Sequence, residues 1–522
     1  MNPPVKHPYH LVLVWIAVVG IVLRFATLDT SVYWVDEVHT ATRIAGYTRS
    51  QVQTQLFDQS VIQVSALEAY QVPTVDQPLE TTWRALEQHP EHPPLYFLLG
   101  RIWLHGWLAF SQNWVLGLRS LSVLLSLLVF PGLYWLCREL FSKPSHPLTL
   151  SWMAIALFSI APLHILYAQE ARQYSLFTAI TIITCAAFLK AVRSDRLFDW
   201  VVYTITVVIG LYSHLLFGLV AIAHGLYLAL LRSPAKLMLR YTLSCCISLI
   251  AFMPWLVILG RYVTQVERAV DATQRNVDLN YLVNVWLRNL SRVFFSTDLG
   301  TANLLLLGLL GYALYRLYRE TPRETWLFII VLISVSAVPL LVTDVLTGGI
   351  SSTRIRYLIP SYVGIHLAFA YWLSRCLPRL TVNSPPRPQP KWLWTSVALV
   401  MLIGMVTVSI IDATRIVSWT KSDKGAYYPA IATAINAAEA PVVISDSSPT
   451  YILALSRLLS PNVALHLVTR PIFLESVDTF SDIFVFDPSR RLQRVLQDKW
   501  GYNLEPIVKQ NESFQLLMAR TE

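Results

Sequence analysis

The chain has 522 residues, of which 54% are hydrophobic and only 14% are charged. A soluble protein carries about 25% charged residues, so lipid must cover much of this surface. The formal net charge is +9, but the basic residues stand in short clusters between apolar runs, which favours the cytoplasmic face of a membrane protein over nucleic-acid binding.

Long apolar runs dominate the first four hundred residues and predict an all-α polytopic membrane protein. Because a spanning helix needs about 20 apolar residues, the sequence predicts about eleven spans. The first has no cleavage site after it and is expected to be a retained helix. The predicted spans lie near 10–28, 118–137, 148–166, 174–192, 198–213, 214–231, 241–259, 301–318, 325–342, 357–375 and 392–411.

The segment 93–110 decides the orientation of the chain. It is apolar but carries Arg101, His105 and three large aromatic residues, which is typical of an interfacial helix. If this segment lies on the surface instead of spanning, every basic cluster falls on one side, as the positive-inside rule prefers. The N-terminus is then cytoplasmic, and the extracytoplasmic loops are 29–117, with its interfacial helices, 167–173, 260–300 and 343–356.

The chain becomes soluble in character after about residue 412. Strands are predicted at 441–446, 463–468, 482–486 and 513–518, and helices at 449–459 and 490–500. This alternation predicts a small extracytoplasmic α/β domain over residues 412–522, after a transmembrane domain over residues 1–411.

Two acidic residues, Asp36 and Glu37, directly follow the first span. Carboxylates near the headgroups are costly unless they face water or a cavity. One carboxylate can act as a general base on an acceptor hydroxyl, or the pair can hold a divalent metal. Alternatively, the two acids belong to a solvated loop or a helix cap and have no catalytic role.

The segment from Glu91 to Tyr96 reads Glu-His-Pro-Pro-Leu-Tyr. Its two prolines fix the start of the interfacial helix. His92 lies at that start, where it can hold a ligand against the membrane surface or can be an ordinary histidine near a helix N-terminus.

Two further external loops contain charged residues. In the loop 167–174, Glu170 and Arg172 either form a structural ion pair or place Arg172 on an anionic substrate group. Arg354 and Arg356 break the positive-inside pattern, and they suit either a lipid phosphate or a headgroup anchor.

Together, the acidic pair, the His-Pro-Pro-Leu-Tyr segment and the Ala-Gln-Glu-Ala-Arg-Gln-Tyr loop resemble membrane glycosyltransferases of the GT-C class. The sequence is most similar to the protein O-mannosyltransferase and aminoarabinose-transferase superfamily (glycosyltransferase family 39), in its bacterial branch, over about residues 10–380. The resemblance implies a polyprenyl-phosphate sugar donor, inverting transfer, and a lipid, glycan or protein acceptor on the non-cytoplasmic side. Because no eukaryotic retrieval signal ends the chain, a bacterial inner membrane is expected, with membrane lipids and no nucleic acid as partners.

The resemblance assigns expected roles to the motif residues. Asp36 is expected to be the catalytic base, with Glu37 supporting it. The aminoarabinose branch has a metal-binding acid where this chain has His92, which is therefore the candidate metal ligand. Substrate or metal contacts are expected from His92, Glu91, Glu170 and Tyr96, and a divalent metal is the one candidate cofactor.

One departure from the family changes the expected phosphate site. The aminoarabinose branch has a lysine for the donor phosphate where this chain has Pro93. We therefore expect Arg172, Arg354 and Arg356 to bind the donor phosphate instead.

Two other functions are compatible with an external polar face. A lipid-sugar transporter or flippase typically has internal repeats and ionisable residues at mid-membrane, and the sequence has no clear repeat. A glycan polymerase or ligase would use a pyrophosphate-linked donor. The position of Asp36 and Glu37 directly after the first span favours the class with a monophosphate-linked donor.

Overall fold

The computed structural model describes residues 8–74, 76–141, 147–265, 267, 274–376, 392–421, 424–469, 480–511 and 514–521. Its helices in chain order are α1 Pro8–Phe25, α2 Val35–Ile44, α3 Arg49–Leu56, α4 Leu79–Glu87, α5 Leu95–Leu108, α6 Trp114–Leu127, α7 Val129–Leu140, α8 Pro147–Ile160, α9 Pro162–Gln169, α10 Tyr174–Ser194, α11 Leu197–Ser213, α12 Phe217–Leu230, α13 Ala235–Arg261, α14 Leu279–Phe295, α15 Asn303–Glu320, α16 Arg323–Thr347, α17 Ile359–Cys376, α18 Trp392–Ala413, α19 Tyr428–Asn436, α20 Pro449–Ser456 and α21 Arg490–Asp498. The strands are β1 Asp58–Gln63, β2 Pro441–Ser445, β3 Ala464–Val468, β4 Asp482–Phe486, β5 Tyr502–Asn511 and β6 Phe514–Thr521.

The chain divides into two compact units. The first, here called the helical unit, comprises Met1–Leu28, His89–Tyr96 and Arg119–Thr414. The second, here called the sheet unit, comprises Asp29–Gln88, Phe97–Leu118 and Arg415–Glu522. Most of the predicted external loop 29–117 therefore folds with the C-terminal residues.

The predicted membrane architecture is confirmed in its class but not in its number of spans. Among the described residues, five helices are long and apolar enough to cross a membrane, and two bent helix pairs raise the number to at most seven. Three shorter apolar helices, His10–Phe25, Leu197–Ser213 and Phe217–Leu230, fall below the length of a span. The count of eleven treated every apolar run as one straight span, and the bends and short helices do not support it.

The bend between α8 and α9 has a clear cause in the sequence. The two helices meet at 59°, and Pro162 begins the second one without a backbone N–H to donate. Buried Arg24 compensates, because its guanidinium donates to the carbonyl oxygens of Ser159 at 2.6 Å and Phe158 at 3.0 Å. Such pairing is required inside a bilayer, where water cannot satisfy the freed carbonyls. The bend leads α9 into the loop that contains Glu170 and Arg172.

A six-stranded sheet forms the centre of the sheet unit, with strand order β1-β3-β2-β4-β6-β5. The central strands β3, β2 and β4 are parallel, while β1, β6 and β5 pair antiparallel with their neighbours. All four predicted strands are present. The sequence analysis missed β5 and also β1, which the external loop adds beside β3.

Candidate active site

The acidic pair lies in the first turn of α2, in the sheet unit. Trp34 precedes the helix in an extended conformation, and Asp36 and Glu37 occupy the turn where the helix dipole favours negative charge. The two carboxylates differ in their surroundings. Asp36 is half-buried, whereas Glu37 has 0% of its surface exposed.

Buried Glu37 faces a lysine that the sequence analysis did not single out. The Lys421 ammonium nitrogen lies 3.7 Å from Glu37 Oε2 and donates to the carbonyl oxygen of Val32 at 3.2 Å. It also lies 5.8 Å from the centre of the Trp34 ring. One signal was available in the sequence, since Lys421 follows the last predicted span on the external side, where the positive-inside rule disfavours cations.

Glu91 and His92 form a small polar cluster in the helical unit. Glu91 Oε1 lies 3.5 Å from His89 Nδ1 and 3.9 Å from His92 Nε2. The side-chain amide of buried Gln173 donates to His92 Nδ1 at 3.3 Å. With Nδ1 as the acceptor, the neutral imidazole carries its proton on Nε2, which faces Glu91.

This cluster does not have the composition of a metal site. In the part of the chain that the structure describes, no group of three or more His, Cys, Asp or Glu side chains could hold a metal ion. His92 has one nitrogen directed at Gln173 and the other at Glu91. The donor set therefore does not fit the expected divalent metal, and no catalytic step below passes through one.

Tyr96 contacts the loop that contains Arg172 through one intermediate residue. The Tyr96 hydroxyl is 2.6 Å from Ser122 Oγ, which donates to the carbonyl oxygen of Arg172 at 3.4 Å. Within the loop, the Arg172 N–H donates to the carbonyl oxygen of Glu170 at 2.7 Å. Glu170 and Arg172 are 2% and 3% exposed, so the predicted external loop is packed rather than solvated.

The charges of two arginines that are predicted to bind phosphate, Arg172 and Arg356, act on His214. It lies in the turn between α11 and α12, with its ring stacked on Phe177 at 4.4 Å and its Nδ1 accepting from the N–H of Leu216 at 3.2 Å. Burial, together with the positive charges of Arg356 and Arg172, lowers the pKa of His214 to about 3. Both guanidinium groups therefore act on one neutral imidazole.

The loop before Ile359 is held by a buried carboxylate. Asp344 accepts from the N–H of Ser351 at 3.0 Å and from the N–H and hydroxyl of Ser352 at 2.5 and 2.6 Å. Trp286 donates its indole N–H to Ser352 Oγ at 2.9 Å. These contacts define the backbone from which half-buried Arg354 and Arg356 project.

The helical unit thus contains Glu91, His92 and Tyr96 together with Glu170, Arg172, Arg354 and Arg356, whereas Asp36 and Glu37 belong to the sheet unit.

Comparison with known families and structures gives a consistent result. The family described as dolichyl-phosphate-mannose-protein mannosyltransferase matches residues 91–258, beginning at the Glu-His-Pro-Pro segment. A search of curated proteins finds no match.

Two solved structures are similar in fold. ArnT from Cupriavidus metallidurans bound to undecaprenyl phosphate has 13% identity and a TM-score of 0.54, with 98% of each chain covered. The oligosaccharyltransferase of Archaeoglobus fulgidus in complex with Zn and sulfate has 14% identity and a TM-score of 0.51, with 86% of this chain covered. This chain spans 62% of the length of that archaeal enzyme.

At these identities the structural likeness shows the fold, and the family match covers residues 91–258 of the chain. Both agree with the resemblance that the acidic pair, the His-Pro-Pro segment and the arginine loop predicted. The family match over residues 91–258 and the fold shared with ArnT make the chain similar to membrane glycosyltransferases of the GT-C class.

Proposed function

We propose that this glycosyltransferase moves a sugar from a polyprenyl-phosphate donor to an acceptor on the extracytoplasmic side, with inversion at the anomeric carbon. The observation that carries the proposal is that buried Arg172 and half-buried Arg356 both act electrostatically on His214. A polyprenyl tail stays in lipid, so its phosphate must lie at headgroup depth, and guanidinium groups match phosphate geometry. The ArnT structure bound to undecaprenyl phosphate supports the same donor class.

In the proposed reaction, the Asp36 carboxylate takes the proton of the acceptor hydroxyl. The acceptor oxygen then bonds to the anomeric carbon while the bond from that carbon to the phosphate oxygen breaks. The leaving polyprenyl phosphate carries the negative charge, which Arg172 and Arg356 stabilise, with Arg354 on the same loop. Phosphate is a good leaving group, so no general acid is needed.

The remaining motif residues are proposed to contact the substrate. Glu91 presents a carboxylate as acceptor for sugar hydroxyls, and His92, whose Nε2 lies 3.9 Å from that carboxylate, lies beside it at the same position. Tyr96 and Glu170 shape the same loop region. In this proposal the N-terminus is cytoplasmic, residues 412–522 are extracytoplasmic, and the membrane is a bacterial inner membrane.

The first test replaces the proposed base. Asp36→Asn removes the proton acceptor with little change in shape, and a lost general base typically costs about 100- to 10,000-fold in rate. Purified protein is assayed for transfer from a polyprenyl-phosphate sugar. The matched control is Asp76→Asn, an exposed aspartate of the same unit. A wild-type rate in Asp36→Asn would remove Asp36 from this role.

The second test concerns the donor phosphate. Arg172→Gln and Arg356→Gln should raise the KM for the donor, whereas exposed Arg275→Gln should not. Donors with monophosphate and pyrophosphate links are compared in the same assay. A preference for the pyrophosphate-linked donor would favour the polymerase or ligase alternative.

The third test concerns sidedness. Single cysteines at the half-buried positions 36 and 169, on a background without the five native cysteines, are labelled with an impermeant thiol reagent in intact cells. The proposal requires both positions to label from the extracytoplasmic side. Mass spectrometry of envelope glycans, lipids and proteins with and without the protein then identifies the acceptor class.

A further inference from the structure

The contact between Lys421 and Glu37 joins residues that are far apart in sequence. Both side chains are buried, with 3% and 0% of their surface exposed. The backbone N–H of Val32 also donates to the carbonyl oxygen of Ile416 at 2.8 Å. The segment after the last membrane helix is therefore folded onto the residues that lead into α2.

A buried carboxylate is costly unless a cation or hydrogen bonds compensate it. Lys421 supplies a cation 3.7 Å from the Glu37 carboxylate, and its bond to the Val32 carbonyl fixes the position of the ammonium group. Without this cation, the negative charge of Glu37 would disfavour the ionised form of its neighbour Asp36. The negative charge would then stay on buried Glu37, and Asp36 would be less often the ionised carboxylate of the pair.

We propose that Lys421 is a positioning residue that neutralises Glu37, so that Asp36 alone of the acidic pair acts as the ionised base. This inference rests on the proposed function, in which Asp36 deprotonates the acceptor. Lys421 does not touch the substrate and acts only through Glu37. It gives the chain beyond the last membrane helix a defined part in catalysis.

The experiment is a double-mutant cycle on the purified full-length protein. The variants are Lys421→Met, Glu37→Gln and the double variant, together with Lys421→Arg, which keeps the charge. Exposed Lys499→Met is the matched control. For each variant, kcat and the donor KM are measured, along with thermal unfolding to establish that the protein is folded at the assay temperature.

We expect Lys421→Met to lower kcat by about 100-fold, the size of loss that a small misplacement of a catalytic group causes. The donor KM should change little, because the arginines remain. Lys421→Arg should recover most of kcat. In the Glu37→Gln background, loss of Lys421 should have little further effect, since the charge on which it acts is already gone.

The decisive comparison is between the two backgrounds. An equal kcat loss from Lys421→Met with Glu37 and with Gln at position 37 would overturn the inference, because a purely structural lysine gives that result. If Lys421→Met does not fold, the double variant takes its place. A kcat close to that of Glu37→Gln then supports the inference, and one far below it overturns the inference.

Failure of the inference differs from failure of the proposed function. If Asp36→Asn is inactive and Lys421→Met is fully active, only the role of Lys421 is wrong. If Asp36→Asn keeps its activity, the proposed base is wrong, whatever the lysine does.

Discussion

Asp344 is expected to control the affinity for the donor although it lies on the membrane helix before the arginine loop. Its carboxylate is 1% exposed and accepts three hydrogen bonds from Ser351 and Ser352. Hydrogen bonds to a charged group contribute about 1.5–3 kcal/mol each and are not additive. We therefore assign Asp344→Ala a loss of about 3 kcal/mol in the ordering of this loop.

That free energy sets an upper limit on the rise in the donor KM. If the donor must reorder the loop when it binds, about 3 kcal/mol corresponds to a rise of about 150-fold in the donor KM. The kcat should change much less, because the proposed base is on α2. Gly349→Ala offers a second perturbation that removes no charge, since a Cβ there would lie 2.6 Å from Asp344 Oδ1 and displace the carboxylate.

The assay measures initial rates against donor concentration for both variants, with Asp76→Ala as an exposed control. A raised KM in Asp344→Ala and Gly349→Ala, at nearly constant kcat, supports the role of the loop in donor binding. If both variants lose thermal stability while KM stays at the wild-type value, the loop does not position the phosphate-binding arginines.

Three other predictions address stability. Arg24→Leu leaves the carbonyls at the α8–α9 bend unpaired and should lower the unfolding free energy by about 3 kcal/mol, measured by thermal unfolding in detergent. His214 has a lowered pKa, so its contribution is intact above about pH 6.5 and is lost as pH falls toward 3. His214→Gln should therefore abolish an acid-dependent loss of about 2 kcal/mol between pH 7 and 5, measured in the same way. Residues 415–522 expressed alone lack β1 and should show no cooperative unfolding, whereas the full chain should.

The parts of the fold that depend on local pattern were predictable. Apolar runs, basic clusters and the strand–helix alternation after residue 412 each act within a few tens of residues, and the structure contains the corresponding elements. The strand β1 was not predictable in this way. Its six residues include only two adjacent apolar side chains, Val61 and Ile62, and it is a strand because it pairs with β3.

Prediction of the candidate site from the sequence has the same limit, since only residues in local patterns were found. The motif residues were found because their types and order are unusual beside hydrocarbon. Lys421 and His214 were not, because their roles come from chain folding. Lys421 pairs with a carboxylate 384 positions earlier, and the charges of arginines from two loops act on His214. Neither contact leaves a local pattern in the sequence.

The distinction between Asp36 and Glu37 illustrates why structure is needed to choose a base. Adjacent residues of a helix project about 100° apart, so two neighbouring carboxylates can have different surroundings. Here Glu37 faces inward and meets Lys421, while Asp36 stays half-exposed. A carboxylate that is buried against an ammonium group is held as one partner of an ion pair, whereas the half-exposed one is accessible to an acceptor hydroxyl. Asp36→Asn should therefore lower kcat far more than Glu37→Gln, and the reverse order would mean that the buried carboxylate is the base.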